Sequence, residues 1–437
     1  MKLLLVNTYP RGGAANACLR LHEGLLKIGV DSQLLLRESY SGQLPNISTY
    51  RTPEVAMPTH PPLSLRSWWY EKRTKSYQKQ VEKYQIYLKE LEEQQQFIRS
   101  RPKGLEMFSF PTSNYDFTKS EAYQNVDLIN LHWVADFLDY KSFFQKNKKP
   151  VVWTLHDMSA FTGGDHCEES YWGINENTGK PKKRRYTDAE KILHKKVLEQ
   201  KKTIFSQVDG LHVVTPSVWL SKELNKSNII KPKSYHIIPN SVDTDIFCYK
   251  DRGSAREVLG ISQKKSIMLF VSTSLERTLK GFAFLLKSIE SLQERRDDFL
   301  LLTIGQKNNT FKLKNTFDLG YIQDERLLSI AYAAADVFVI PSLMDNLPNT
   351  VLESLCCGTP VVGFPVGGIP DMVQDGKNGY LCPEISVDAL TATLEKFLAN
   401  PDVFDREEIA KTAAKKYALE VQAEAYKKLY EEILSES

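Results

Sequence analysis

The sequence is poor in the features that mark secreted, membrane-spanning and nucleic-acid-binding proteins. Its 437 residues include only six cysteines, none in Cys-x-x-Cys spacing, which indicates reduced thiols and not a disulfide framework or a zinc site. No apolar run approaches the roughly 20 residues that span a bilayer. The formal net charge of +3 is close to balance, so nothing indicates a nucleic-acid partner. We therefore expect a soluble, cytoplasmic protein.

Two nucleotide-binding motifs are also missing. The chain contains neither G-x-G-x-x-G nor the P-loop pattern G-x-x-x-x-G-K-[ST], which argues against a dehydrogenase and against a P-loop kinase or ATPase. The first apolar run, Leu3–Val6, is too short for the core of a signal peptide. It predicts a first β-strand instead.

The chain does contain a long alternation of short apolar runs with helical patterns. Runs rich in leucine and β-branched residues, without polar alternation, are typical of parallel strands that helices cover on both faces. Two such series predict an α/β protein with two doubly wound, Rossmann-like domains facing a central cleft. The first series comprises Leu3–Val6, Val30–Leu36, Asp127–Leu131, Val151–Leu155 and Leu211–Thr215. The second comprises Tyr235–Ile238, Ile267–Val271, Leu300–Ile304, Val337–Ile340 and Val361–Phe364.

A cluster of Lys, Asn, Ser and Pro near residues 225–235 indicates the domain boundary. We predict a first domain at 1–230, a second at 231–415, and a C-terminal helix at 416–437 that packs back toward the first domain. Residues from about 58 to 101 do not fit a compact unit, because they are polar and strongly charged with a short heptad-like apolar seam. They predict an inserted helix or helical hairpin, whose seam is more typical of a packing face than of an oligomer or acceptor element.

Ligands of open parallel sheets bind beyond the carboxyl ends of the strands, so the loops there carry the first candidates. Gly12 and Gly13 follow the first strand and lead into a helix, whose free N–H groups can meet an anion. His156 follows the run Val151–Leu155 and could donate to a sugar hydroxyl. Lys280 stands at a helix start and could neutralise a diphosphate without a metal. Each also has a plain structural interpretation: a tight turn, a core histidine or a solvated lysine.

The most informative segment runs from Asp345 to Glu353, where a strand ends and a helix begins. If the intervening chain is largely helical, the two carboxylates lie at most about 12 Å apart along the axis and about 80° apart around it. Asp345 could then accept from hexose hydroxyls and Glu353 from the ribose diol. Helix N–H groups near Asn346 and Leu347 would face the phosphates between them. A buried charged helix face without a ligand would be costly, which favours the binding interpretation.

Together these segments resemble the retaining glycosyltransferases of family four, which have the GT-B fold and include enzymes of bacterial polysaccharide biosynthesis. The resemblance spans nearly the whole chain and is strongest from Ile237 onward. Its motifs are Pro239-Asn240-Ser241-Val242-Asp243, Lys280-Gly281, Gly320-Tyr321-Ile322, the segment from Asp345 to Glu353 with the family's two-glutamate spacing, Pro360-Val361-Val362, and Gly367-Gly368.

The resemblance implies a role for each motif. Glu353 would bind the ribose, Asp345 the transferred sugar and Lys280 the diphosphate. The loop containing Tyr321 and Ile322 would meet the base. The family reacts with retention, so the resemblance implies a hexosyltransferase whose donor is a nucleotide-diphosphate sugar, with UDP or GDP as the nucleotide and with neither cofactor nor catalytic metal.

The resemblance also implies that His156 sits over the sugar from the first domain. Two positions depart from the family pattern. Asp345 is one methylene shorter than the usual glutamate, and Leu275 stands where the family has a diphosphate-binding arginine. Arg277 could substitute for that arginine from a shifted loop.

Several alternatives stay open at this point. An epimerase or a glycan phosphorylase could use the same fold, although a phosphorylase would need a cofactor lysine or a phosphate cluster that the sequence does not display. A non-catalytic protein that binds sugar nucleotides or glycans is a second alternative, which Asp345 and Leu275 motivate. Asp243-Thr244-Asp245 matches the metal-binding Asp-x-Asp of the other glycosyltransferase fold. Because it follows the segment entering the second domain, we interpret it as structural and predict no catalytic metal.

The acceptor could be a glycan, a lipid-linked molecule or a small molecule, and the oligomeric state stays open. Two basic stretches could meet anionic lipid or a polyprenyl-phosphate acceptor, which would place the protein peripherally on the inner membrane surface. Such runs are more often solvated faces. They consist of Lys182-Lys183-Arg184-Arg185 and of Lys72, Arg73, Lys75 and Lys79.

Overall fold

The protein is described by a computed structural model that covers residues 1–58, 67–102, 104–167, 170–306 and 314–436, without the side chains of residues 67–73 and of Trp172. Residues 59–66 of the predicted insertion, and the side chains of Lys72 and Arg73, therefore lie outside the described part. Two parallel sheets, one from each half of the chain, are flanked by helices. The predicted α/β class with two Rossmann-like units is confirmed.

The first sheet has seven parallel strands in the order β3-β2-β1-β4-β5-β8-β9, and β6 and β7 form a separate antiparallel hairpin. These strands are β1 (Lys2–Asn7), β2 (Asp31–Leu36), β3 (Ile47–Thr49), β4 (Leu128–Leu131), β5 (Val151–Thr154), β6 (Tyr171–Ile174), β7 (Pro181–Lys183), β8 (Leu211–Thr215) and β9 (Ser234–Ile237). Leu3–Val6 is fully buried, because helices cover both faces of the sheet at its centre.

The second sheet has six parallel strands in the order β12-β11-β10-β13-β14-β15. Its strands are β10 (Ser266–Ser274), β11 (Phe299–Gln306), β12 (Thr316–Asp318), β13 (Val337–Ile340), β14 (Val361–Gly363) and β15 (Gly379–Leu381). In both sheets the order reverses next to the first strand of the unit, β1 or β10. Ligand crevices of doubly wound folds form at this switch point.

Helices connect the strands and cover the sheets. They are α1 (Gly13–Lys27), α2 (Ser67–Ser100), α3 (Glu121–Gln124), α4 (Tyr140–Lys146), α5 (Asp188–Phe205), α6 (Val218–Ser227), α7 (Arg252–Leu259), α8 (Phe282–Gln293), α9 (Glu325–Ala334), α10 (Asn349–Cys356), α11 (Ile369–Met372), α12 (Val387–Ala399), α13 (Arg406–Tyr417) and α14 (Leu419–Ser435). Single 3₁₀ turns lie at Phe117–Lys119 and Thr278–Lys280.

The structure corrects the predicted domain boundary. The sequence predicts Tyr235–Ile238 as the first strand of the second domain, but β9 pairs with β8 as the last strand of the first sheet. Its residues alternate between half-buried and exposed, as expected of an edge strand. The apolar run reveals a strand, whereas the sheet that it joins depends on where the chain turns afterwards. The second sheet begins only at β10.

The C-terminal helix α14 lies on the first domain. Asn130 Nδ2 of β4 donates to the Tyr430 hydroxyl over 2.7 Å, and the hydroxyls of Thr154 and Tyr426 lie 2.9 Å apart. Both tyrosines are fully buried. The last helix therefore completes the core of the first domain.

The predicted insertion is one continuous helix within the described residues, and α2 is 34 residues long. Its C-terminal end packs on the first domain, where the ring of Phe97 lies 4.9 Å from that of Phe108. Arg101, just past the helix, forms a buried 2.8 Å ion pair with Asp165. Along the predicted seam the side chains are only half-buried, and Leu88 is exposed. The seam is therefore not a packed core face.

Candidate active site

A cleft of about 770 Å³ lies between the carboxyl ends of the two parallel sheets. This is where doubly wound folds bind their ligands. All of the residues predicted to act in the site line it, and they come from both domains. They are Gly12, Gly13, His156, Arg277, Lys280, Tyr321, Ile322, Asp345, Asn346, Leu347 and Glu353.

Lys280 and Asp345 form an ion pair on the second-domain wall. Lys280 Nζ lies 2.6 Å from Asp345 Oδ2, which also accepts from the Ser342 hydroxyl over 3.2 Å. Both side chains are partly exposed to the cleft. A cation and an anion that meet at the cleft surface can both serve one ligand, because the lysine offers three N–H donors and the carboxylate several acceptor sites.

Glycine at position 281 allows Lys280 to reach this place. Gly281 has a left-handed φ of 69°, and a Cβ added there would lie 1.7 Å from the Pro341 carbonyl oxygen. The loop after β10 can therefore lie against the loop after β13 only without a side chain at this position. The Lys-Gly motif thus has a steric cause.

Glu353 lies deeper, on α10, and its residue is only 4% exposed. Its Oε1 accepts from Arg20 Nη2 over 2.8 Å, and its Oε2 accepts from the Tyr332 hydroxyl over 3.2 Å. Burial raises the pKa of the Glu353 carboxyl, and the opposing charge of Arg20 limits that rise. Since Arg20 belongs to α1 of the first domain, this carboxylate is held from both sides of the cleft.

The segment between the two carboxylates is less helical than the sequence predicts. Helix α10 begins at Asn349, after Pro348, so Asn346 and Leu347 precede it. The Asn346 side chain accepts from the Ser217 hydroxyl over 2.6 Å and donates to the His156 carbonyl over 2.9 Å. The physical reason for the later start is Pro348, whose ring disfavours the helical conformation for the preceding residue, Leu347. Asn346 therefore bridges the domains.

Arg277 pairs with Glu106 of the first domain. Although burial opposes it, the charge of Glu106 and, to a smaller extent, that of Asp345 raise the pKa of Arg277. The guanidinium thus lies in the cleft near the Lys280–Asp345 pair, at the end of the loop after β10. Leu275, at the position where an arginine is expected, is buried in the second-domain core.

His132 and His156, on the first-domain wall, are held neutral. His156 Nε2 lies 2.9 Å from His132 Nδ1, and burial lowers the pKa of His156 to about 4. Burial also lowers the pKa of His132, which the proximity of His156 reinforces. A neutral imidazole can donate one hydrogen bond and accept another, but it adds no charge near pH 7.

A second group on this wall surrounds Asp157. Its Oδ2 accepts from Trp133 Nε1 over 2.8 Å and lies 2.6 Å from His166 Nδ1, while Oδ1 accepts from the Ser159 N–H over 2.8 Å. Although burial opposes it, the charge and hydrogen bond of His166 and the hydrogen bonds from Ser159 lower the pKa of Asp157 to about 2. The wall therefore keeps one ionised carboxylate whose hydrogen bonds are made within the first domain.

The glycine turn after β1 faces the second domain. Gly12 has a left-handed φ of 106° and stands just before α1, and the Gly13 carbonyl accepts from Asn349 Nδ2 over 3.0 Å.

On the opposite side, the loop after β12 places Tyr321, which is 45% exposed, beside the cleft. Asp324 caps the following helix, α9, by accepting from the N–H groups of Arg326 and Leu327.

Sequence reasoning missed the residues that act across the domain boundary. Arg20 contacts Glu325 and Glu353, and Glu106 contacts Arg277. No local pattern marks these pairs, because Arg20 and Glu353 are 333 positions apart. Only the position of Arg20, about two helical turns beyond the glycine pair, could have drawn attention to it.

Among the described residues, no group of three or more His, Cys, Asp or Glu side chains is arranged to hold a metal ion. The Asp243 carboxylate accepts from the N–H of Asp245 over 2.9 Å, which is a local turn contact. Within the same described ranges, no helix has both the length and the apolar character needed to cross a bilayer.

The fold is that of the GT-B glycosyltransferases, as two solved structures show. Sucrose-phosphate synthase from Thermosynechococcus elongatus matches 100% of both chains with a TM-score of 0.65 and 17% identity. Anabaena HepE, crystallised with UDP and glucose, matches 99% of both chains with a TM-score of 0.61 and 13% identity. These likenesses establish two Rossmann-like domains around a central cleft.

Sequence comparison then identifies the family. The family model described as "Glycosyltransferase Family 4" matches residues 11–246, and the one described as "Glycosyl transferases group 1" matches residues 251–417. The chain belongs to glycosyltransferase family 4. An "MMP alpha-(1->4)-mannosyltransferase" from Mycolicibacterium hassiacum is 27% identical over 214 residues, which are 47% of this chain and 49% of that protein. The chain spans about half the length of the curated relatives it matches.

Proposed function

We propose that the protein transfers a hexose from a nucleotide-diphosphate sugar to a glycan, lipid-linked or small-molecule acceptor, with retention at the anomeric carbon. The observation that carries the proposal is the set of charged groups on the second-domain wall. Lys280 and Asp345 meet at the cleft surface, Arg277 lies near them, and Glu353 lies deeper in the same cleft. This order suits a diphosphate and sugar at the Lys280 end and a ribose at the Glu353 end.

The proposed chemistry depends on charge that develops on the leaving diphosphate. As the bond from the anomeric carbon to the phosphate oxygen breaks, the acceptor oxygen bonds to that carbon from the same face. Lys280 and Arg277 stabilise the negative charge of the departing diphosphate, whose phosphate oxygen receives the acceptor proton. Fixed donors of this kind act where the charge forms and need little reorganisation. In this scheme the countercharge comes from side chains, so we propose that neither a metal nor a cofactor takes part.

The first-domain wall would receive the acceptor and the outer face of the sugar. His156, which is neutral near pH 7, would donate a hydrogen bond to a sugar hydroxyl and add no positive charge beside the breaking bond. Asp345 would accept from hydroxyls of the transferred sugar. HepE was crystallised with UDP and glucose, which supports UDP as the first nucleotide to test, with GDP as the second.

The decisive experiment measures release of nucleoside diphosphate from a panel of UDP and GDP sugars, with and without chelator. We expect slow hydrolysis of one donor, faster release when acceptor is added, and no effect of the chelator. The matched control is Lys280→Met, which should release far less. Binding of a nucleotide sugar without any release would favour the non-catalytic alternative, and loss of release with chelator would contradict the metal-free scheme.

Cytoplasmic location with peripheral membrane contact is a separate proposal. Lys75, Lys79, Lys182 and Lys183 are exposed, whereas Arg184 turns inward to pair with Glu190. The exposed lysines could meet anionic lipid, an attraction that salt screens. Vesicles containing anionic lipid should therefore bind the protein at low salt and release it at high salt. Binding that resists salt would mean an apolar anchor instead.

A further inference from the structure

Arg20 is a buried cation that joins the two domains. It lies on α1 of the first domain, is 4% exposed, and contacts two carboxylates of the second domain through one nitrogen. Its Nη2 lies 2.8 Å from Glu325 Oε1 and 2.8 Å from Glu353 Oε1. The guanidinium also lies over the ring of Phe247, 5.4 Å from its centroid.

Stabilisation of the fold does not by itself explain this arrangement. Burying a guanidinium carries a desolvation cost that an ion pair repays only with excellent geometry and full hydrogen bonding. Arg20 Nε and Nη1 are buried without a hydrogen-bond partner among the described residues. The geometry therefore concentrates the charge of Arg20 on the two acids and leaves its other donors unused.

One of the two acids is the proposed ribose ligand. Arg20 engages Oε1 of Glu353 and the Tyr332 hydroxyl engages Oε2, so the carboxylate is fixed in position from two directions. Each carboxylate oxygen has a second lone pair available for a ligand. Glu325 begins α9, directly after the loop that contains Tyr321 and Ile322, and it lines the same cleft.

Resting on the function proposed above, we infer that Arg20 is a positioning residue for the nucleoside: it orients Glu353 and keeps it ionised, so that the ribose diol meets a charged acceptor. Arg20 belongs to the first domain and both acids to the second. The contact therefore requires the two walls to approach each other. Binding of the ribose is therefore coupled to the approach of the first domain.

The test compares UDP with 2′-deoxy-UDP, and GDP with 2′-deoxy-GDP, by titration calorimetry. The parent should bind the ribonucleotide about tenfold or more tightly than its 2′-deoxy counterpart, because only the ribonucleotide can donate a 2′-hydroxyl hydrogen bond to the charged Glu353. Arg20→Met should reduce this preference to below about threefold near neutral pH, because a buried carboxylate without its cation becomes protonated. Arg20→Lys, which keeps the charge with a shorter reach, should retain an intermediate preference.

The pH dependence separates positioning from a merely structural role. The charged and titratable groups facing Glu353 are Arg20 from α1, Glu325 and Tyr332 from α9, and the thiols of Cys356 and Cys357 at the end of α10, whose pKa values burial raises. In Arg20→Met the preference for ribose should return as the pH rises and Glu353 ionises, whereas the parent should show little change between pH 7 and 9. A uniform loss of affinity for both nucleotides at every pH would overturn the inference.

Asp371→Asn is the matched control. Asp371 also contacts the other domain, since its carboxylate accepts from the Val218 N–H over 2.7 Å, but it does not touch Glu353. The Asp371→Asn variant should leave the ribose preference unchanged. If it loses as much of this preference as Arg20→Met does, the inference is overturned. If Arg20→Met fails to fold, Arg20→Lys carries the test. An unchanged preference for the ribonucleotide in Arg20→Lys would overturn this inference and leave the proposed function intact. A parent that binds neither UDP nor GDP would overturn the proposed function, and this inference with it.

Discussion

The two walls of the cleft differ in how they hold charge. On the second-domain wall, Lys280 and Asp345 meet at the surface, and Glu353 is paired across the cleft with Arg20. On the first-domain wall, burial keeps His156 neutral and Asp157 is hydrogen-bonded within its own domain. The second-domain wall therefore presents charges that a ligand can share, whereas His156 and Asp157 of the first-domain wall present a neutral imidazole and a carboxylate that already has internal partners.

This difference predicts which property of the protein changes when residues of each wall are substituted. Changes on the second-domain wall should alter binding of the charged donor. Apart from Arg20, which reaches across to Glu353, changes on the first-domain wall should alter stability or acceptor use, because Asp157 already has partners within its own domain. The predictions below test this division, beginning with the largest expected effect.

Lys280→Met should have the largest effect. It removes the cation proposed to stabilise the leaving diphosphate and leaves Asp345 without its partner. Removing one such preorganised group typically costs about 10²-fold or more in turnover. Steady-state release of nucleoside diphosphate measures this. Lys287→Met is the control, because Lys287 is a half-buried lysine of α8 that pairs with Glu176 and does not line the cleft. Equal losses in the two variants would contradict the role of Lys280.

The ionised Asp157 carboxylate should contribute about 2 kcal/mol to the free energy of unfolding at neutral pH, because the pKa of its carboxyl is lowered from 3.8 to about 2. A lowered carboxyl pKa stabilises the fold above the ordinary value, and the contribution is lost as the pH falls toward 2. Urea unfolding of the parent and of Asp157→Asn should therefore differ at pH 7 and converge in acid. The exposed Asp209→Asn should show no such pH-dependent difference, and a constant gap for Asp157→Asn would refute the assignment.

Glu353→Gln should weaken binding of the nucleoside diphosphate by about tenfold, because it replaces a charged acceptor with a neutral amide. The buried position should make the effect independent of salt, unlike that of an exposed pair. Titration calorimetry at two salt concentrations measures both properties. Unchanged affinity would mean that the ribose binds elsewhere in the cleft.

Asp345→Asn should have the smallest effect on nucleotide affinity, below about twofold, because a free nucleoside diphosphate has no sugar for this carboxylate to contact. It should instead lower the transfer rate or change which sugar is used. The same calorimetry, paired with a transfer assay, tests this. A variant that could not bind the diphosphate, beside a Glu353→Gln variant that could, would reverse the roles assigned to the two acids.

The sequence alone determined the elements whose signal is local. Buried strands such as Leu3–Val6 appear as short apolar runs because both faces of a parallel sheet are covered. The Lys280-Gly281 motif and the spacing from Asp345 to Glu353 are equally readable, since each lies within a few turns of chain. From these features follow the α/β class, the family and the cleft-lining residues.

Tertiary structure alone decided the contacts between distant segments. It assigned β9 to the first sheet, started α10 only after Pro348, and brought Arg20 to Glu353. A strand's apolar run does not specify its neighbour, and a buried cation leaves no periodic signal along a helix. Both depend on which surfaces meet when the chain is compact, and pairing of residues 333 positions apart is a property of the whole fold.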